Sequence, residues 1–274
     1  MASALCPPFN TIDGLIKLVN RLLDQCNLLL RQEHNQEWLF LCEDFDKDGL
    51  SAQQIEKLFI EYGHIFPALN THLIFNIPIA LAYSDKGNSL RLGYSLIYDT
   101  PVYWQDHTFF EVGIAALEKL LDARVEPTLF AEGQKRRVLV ASGGNLRDLF
   151  TIALKAGDHA ALRPNHQGKI EAEDVTSAIA ERRKFYLDHL GISPNDPITL
   201  TYEAKAERLV NIYNLSPGSD VTDPIIHSLF RARAVLEFNG ERWFGVHPLV
   251  VDILQRHGKL KTTKNRPVII AGTI

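Results

Sequence analysis

Residues Trp38-Leu39-Phe40-Leu41-Cys42 form an apolar run that stops abruptly at Glu43 and Asp44, with Asp46, Asp48 and Gly49 close behind. An unbroken apolar run of this length, bounded by polar Gln36-Glu37, reads as a central parallel strand buried on both faces. Such a strand needs a neighbour strand and covering helices, which constrains the chain toward an α/β layer. The acids at its end admit three readings. Asp44-x-Asp46-x-Asp48-Gly49 mimics the opening of a calcium-binding EF-hand loop, but loop position 12 is Ile55 and the required glutamate comes one residue late, at Glu56. A strand end followed by an acidic turn that caps the next helix is the plain structural reading. Adjacent carboxylates at the end of a buried strand are also what a nucleotide-hydrolysing α/β domain uses to hold magnesium and orient water.

The pattern on either side agrees with a layered core. Apolar residues from Ile12 to Leu30 recur mostly at three- and four-residue intervals, which predicts an amphipathic helix leading into the strand. Ser51 opens a helical stretch through Ile55, Leu58, Phe59 and Ile60 that ends near Gly63, and His72 to Pro78 reads as a second strand. Helix, strand, helix, strand implies a right-handed parallel arrangement. Tyr94 to Tyr98 is a further short β-like run, cut off by Thr100-Pro101, and a helix follows from Phe109 to about Val125.

A second section opens at Ala141-Ser142-Gly143-Gly144-Asn145. The glycine pair permits a sharp turn, and Asn145 caps a helix from Leu146 to Ala156, followed by another from Glu171 toward Leu190. A third section begins at Asp196, with helices at about 201–214 and 223–233. Two β-rich runs between Ala234 and Val246 are joined by Asn239-Gly240, the favoured pair for a type I′ hairpin turn, and His247-Pro248 opens a last helix. The expected fold is therefore a partial parallel α/β core over 1–140, an all-helical lid over 141–195, and a winged-helix-like domain with a tail over 196–274.

At 274 residues and 46% hydrophobic, the chain is long enough to bury a substantial core. Its net charge of −4 is not that of a dedicated nucleic-acid binder. Cys6, Cys26 and Cys42 are odd in number and lack metal-ligand spacing, which predicts a reducing, cytoplasmic setting. No apolar run approaches the roughly 18 residues that a membrane span needs, and Met1 to Pro8 does not read as a signal peptide, so no membrane partner is expected.

In order and spacing these landmarks resemble the later part of an AAA+ P-loop ATPase, closest to the origin-recognition-like and signalling (STAND-type) branches, from about residue 12 to about residue 256. The resemblance implies that Glu43 and Asp44 occupy the Walker B positions, one linked to magnesium and one polarising water. Their order is Glu then Asp, where the family carries Asp first. It places Asn76, at the end of the second strand, at the sensor 1 position that reads the terminal phosphate. Arg91 falls where the family often carries an arginine finger acting on a neighbouring subunit. Ser142 to Leu149 resembles the sensor 2 segment of the lid, with Arg147 reaching the nucleotide phosphates, as a guanidinium fork is suited to do. The plain readings beside these are an asparagine that ends a strand, a surface arginine, and Arg147 paired with Asp148 or Glu173.

By the same resemblance ATP and Mg2+ are the expected cofactors, yet G-x-x-x-x-G-K-[ST] occurs nowhere in the sequence. Gly168-Lys169 is preceded by Arg163 where the first glycine should stand and followed by Ile170, and Gly258-Lys259 is followed by Leu260. Since the phosphate loop comes earlier in the family, the expectation is a truncated gene product, a cut polypeptide, or one member of a split or degenerate ATPase that is inactive by itself. A missing central strand would expose a sheet edge and invite self-association or a protein partner. The alternative is a non-catalytic protein-interaction or DNA-binding winged-helix module derived from an ATPase. In it the helix carrying Arg231 and Arg233 would face nucleic acid, beside a basic tail with Lys259, Lys261 and Lys264.

Overall fold

The computed structural model describes residues 12–43, 45, 50–84, 86–90, 93–164, 168–193, 196, 198–238 and 243–261. The protein is mixed α/β and mainly helical, with two small sheets, and it divides into two compact units, Met1–Ser95 and Leu96–Ile274. Among the described residues no helix is long and apolar enough to cross a membrane.

In the first unit, helix α1 (Ile12–His34) leads to strand β1 (Leu39–Cys42), which pairs in parallel with β2 (His72–Phe75). Between them Ser51 caps α2 (Ala52–Glu56). The Ser51 hydroxyl accepts from the Gln54 N–H, while the Gln54 side chain accepts from the Ser51 N–H in return, a reciprocal capping box. The helix widens into a π turn over Lys57–Glu61 and sends Ile55 and Phe59 into a small aromatic core. There Phe59 meets Phe45 edge-on at 5.1 Å and Phe75 at 5.6 Å. A short helix, α3 (Ile79–Ala82), supplies Leu81 to the same core.

The parallel pairing of Leu39–Cys42 with His72–Phe75 is as expected, but β1 is not a buried central strand. Leu39 is 50% and Leu41 63% exposed, and Trp38 and Phe40 are exposed as well. Successive strand residues face opposite sides, so among the described residues no layer covers either face of β1. Helix α1 does not supply one. Its single buried residue is Asn27, whose side chain accepts from the Trp38 N–H at 3.0 Å, while Leu15, Leu22, Leu28 and Leu29 are exposed. Polar groups hold the helix in place: Asn20 bonds to Ala68 O and to the Asn70 N–H, and Asn70 bonds to Asp24.

The second unit builds on helices α4 (Glu111–Asp122), α5 (Gln134–Ala141), α6 (Leu146–Leu162) and α7 (Ala172–His189), with α6 and α7 packed along each other. Asn145 caps α6 by accepting from the Asp148 N–H, and the helix runs on past Ala156 to Leu162. No strand forms over Tyr94 to Tyr98. Ile97 is 94% exposed, and backbone pairing begins only at Asp99, whose N–H donates to Glu237 O.

Helices α8 (Tyr202–Tyr213) and α9 (Pro224–Arg231), strands β3 (Val235–Phe238) and β4 (Trp243–Val246), and helix α10 (Pro248–Arg256) complete the unit. The hairpin register differs from the one a two-residue Asn-Gly turn would set, which would pair Phe238 with Glu241. Instead Phe238 lies opposite Trp243, with residues 239–242 outside the described set. The shift is an even number of residues, so each side chain keeps its face. It brings the Phe238 and Trp243 rings to 4.4 Å, and Gly245 leaves room for Phe238, since a Cβ there would lie 2.6 Å from that ring.

Candidate functional site

Parallel α/β sheets bind ligands beyond the carboxyl ends of their strands. At that end of β1 and β2 the Asn76 N–H donates to Cys42 O at 3.0 Å, continuing the ladder one step past Phe75. Glu43 and Asn76 therefore leave adjacent strands side by side, and both are exposed. An exposed carboxylate beside a carboxamide can hold a partly hydrated divalent cation and accept or donate hydrogen bonds to a phosphate or water. Asp44 and Arg91 lie outside the described residues, as do Asp46 and Asp48. Among the described residues no cluster of three or more His, Cys, Asp or Glu side chains has the arrangement of a metal cage.

Arg147 belongs to the second unit, on the exposed side of the first turn of α6. Its neighbour Asp148 points inward, and the residues around it form the most elaborate polar cluster of that unit. Asp148 is completely buried. Its Oδ1 accepts from Arg182 Nε at 2.9 Å and from Nη2 of the same guanidinium, while Oδ2 accepts from the Tyr186 hydroxyl at 2.6 Å and lies 3.0 Å from His247 Nε2. The Leu249 N–H donates to His247 Nδ1, which fixes the hydrogen on Nε2, shared between Asp148 and Ser142 O. Burial acts to raise the Asp148 pKa, but the hydrogen bond from His247, then the Arg182 charge and the Tyr186 hydrogen bond, outweigh it and hold the carboxyl well below its usual range.

The Ser142-Gly143-Gly144-Asn145 turn is the junction of this cluster. Gly143 has φ +63° and Gly144 φ +90°, conformations that side-chain-bearing residues rarely adopt. A Cβ on Gly144 would sit 1.6 Å from Thr100 O, and one on Gly143 would press on Pro248 and His247. Asn145 donates from Nδ2 to Asp99 while its Oδ1 caps α6. Burial pushes the Asp99 carboxyl above its ordinary value despite that hydrogen bond. Sequence reading found the turn and the cap but not Arg182, Tyr186 or His247. His247 announces itself only as the residue before a helix-opening proline. Of the two acids considered as plain partners for Arg147, Asp148 pairs with Arg182 and Glu173 with Arg163.

The helix proposed for nucleic-acid contact has its charge engaged internally. Arg231 donates to Asp196 at 2.6 Å, and buried Lys205 and the Ser228 hydroxyl converge on the same carboxylate, while Ile226, Leu229 and Phe230 enter the core. No protein-family model matches the chain, and neither the curated proteins nor the solved structures compared with it include a significant match.

Proposed function

We propose that this chain is the Walker B and sensor portion of an AAA+-like, ATP-responsive protein of the signalling type, with its phosphate cradle supplied by polypeptide outside this sequence. The observation that carries the reading is the Asn76-to-Cys42 hydrogen bond, which sets Glu43 and Asn76 abreast at the carboxyl end of a parallel pair. In this reading Glu43 and Asp44 would hold Mg2+, and Asn76 would orient the water that attacks the terminal phosphate. In the same reading Arg91 acts on a neighbouring subunit. Magnesium supplies neutralisation of the phosphate oxygens as charge develops on them. The donor set fits such an ion only in part, since one exposed carboxylate and one carboxamide offer fewer ligands than a closed cage. The winged-helix-like reading of α8 to α10 goes with this proposal, as an interaction module. The uncovered faces of β1 support a protein partner, because a parallel sheet is ordinarily buried on both sides.

Equilibrium dialysis of the chain with Mg-ATP tests the division of labour. Without backbone amides and a loop lysine to cradle the phosphates, no micromolar binding is expected. Translation of the DNA immediately upstream of the Met1 codon should then reveal a strand followed by G-x-x-x-x-G-K-[ST]. Micromolar affinity in the chain alone, or an unrelated or stop-punctuated upstream sequence, would contradict the proposal.

A further inference from the structure

The second unit contains an aromatic cleft that neither the strand-end site nor the Asp148 cluster uses. It encloses about 900 Å³, its open mouth included, between the turn at 102–107, the end of α8, the β3–β4 hairpin and one face of α10. Tyr103, Trp104, Tyr213, Phe238 and Trp243 contribute rings to its wall. The turn is rigidly built: the Trp104 N–H donates to Thr108 O at 2.8 Å, the His107 N–H donates to Trp104 O at 2.9 Å, and the His107 ring packs 4.2 Å from that of Tyr213.

Two polar side chains of α10 interrupt this apolar lining. Asp252 and Gln255 are three residues apart and so share a face of the helix, and both line the cleft. Arg183 and Arg256 both donate to Asp252 Oδ2, at 2.8 and 2.9 Å. Among the described residues, Asp252 Oδ1 and the Gln255 carboxamide have no hydrogen-bond partner, so both are available on the cleft wall. Among the described residues no lysine or arginine lines the cleft.

The geometry points to a binding site for a neutral, planar heteroaromatic ring with a hydrogen-bond donor next to an acceptor, the chemistry of a free nucleobase or a nucleoside. The ring would lie among Trp104, Tyr213 and Trp243, its donor on Asp252 Oδ1 and its acceptor toward the Gln255 amide. Aromatic walls bind such rings by stacking, whereas no cationic side chain among the described lining residues is there to compensate a phosphate. The free base and the nucleoside share the recognised edge, and comparison of the two probes separates them.

The test is titration of the full chain with adenine, adenosine and AMP, read by tryptophan fluorescence, since two of the three tryptophans line the cleft. Saturable quenching by adenine or adenosine is expected, with AMP binding no tighter than adenosine. Val251→Phe, which fills the cleft, and Gln255→Leu, which removes the amide, should each weaken binding at least tenfold, with far-ultraviolet circular dichroism confirming that both variants fold. Absence of saturable quenching overturns the proposal. So does tighter binding of AMP, or equal binding by both folded variants.

Discussion

Arg182 Nε donates to Asp148 Oδ1 at 2.9 Å, at a carboxylate with no exposed surface, and in doing so ties α7 to the first turn of α6. The Tyr186 hydroxyl and His247 complete the shell, so the segment that resembles a nucleotide sensor is also the structural keystone of the second unit.

Arg182→Ala leaves that carboxylate buried with its main cation gone. Removing one partner of a buried pair costs about 3–5 kcal/mol. Urea denaturation followed by tryptophan fluorescence, with Trp104 and Trp243 as reporters in this unit, should show a loss of that order. A change within about 0.5 kcal/mol, the range of an ordinary surface substitution, would mean that the pair contributes little.

Acid should weaken the same unit. The Asp148 pKa is depressed on folding from an ordinary value of 3.8, so the unfolded chain takes up the proton first. Its stabilisation is complete above that value and fades as pH falls below it toward the folded pKa. Asp99, raised on folding, acts in the opposite sense: its contribution is present at low pH and is lost as pH rises through its elevated value. Thermal melts between pH 5 and pH 3 should show a falling midpoint for the wild type and a flatter profile for Asp148→Asn. Parallel profiles would remove Asp148 from the explanation.

Gly144→Ala combines a φ of +90° with a Cβ that would overlap Thr100 O. Backbone strain and overpacking each cost on the order of 1–3 kcal/mol, so a loss of about 3 kcal/mol is expected. Gly168→Ala, at φ +74° with nothing within 4 Å of the added Cβ, isolates the backbone contribution and should cost less. Equal losses in the two variants would show that the approach to Thr100 is not the tighter constraint.

The uncovered apolar surface of the first unit predicts association. Trp38, Leu41 and Ile74 on the sheet and Leu22 and Leu29 on α1 are all exposed, more than isolated surface residues explain. Sedimentation velocity should show concentration-dependent association of the wild type that Leu41→Lys and Leu22→Lys reduce. A wild type that sediments as a monomer at every concentration would rule this out.

Local signals in the sequence gave local structure reliably. The Ser51 capping box, the Asn145 cap and the helix opened by His247-Pro248 are each written within four residues, and each is present. What depends on distant partners was not legible. The run Trp38 to Cys42 reads as buried because it is apolar, whereas burial requires a covering layer that the described residues do not provide. Helix α5 went unread because Gln134-Lys135-Arg136-Arg137 looks solvated. In the fold Arg137 is buried, donating to Gln134 within α5 and to Ala172 O and Thr176, which only the packing of α5 on α7 brings within reach. The hairpin was legible but its register was not, because the contact between Phe238 and Trp243 outweighs the preference of an Asn-Gly turn. Glu43 and Asn76 are legible as strand ends because strand ends are local, and the register of the parallel pair sets them side by side.

The most direct measurement is ATP hydrolysis by this chain combined with a polypeptide that carries a G-x-x-x-x-G-K-[ST] phosphate loop, comparing wild type with Glu43→Gln. Neutralising one strand-end carboxylate should lower the hydrolysis rate at least tenfold while Mg-ATP still binds. Hydrolysis at the wild-type rate in both Glu43→Gln and Asp44→Asn would contradict a nucleotide role for this strand end.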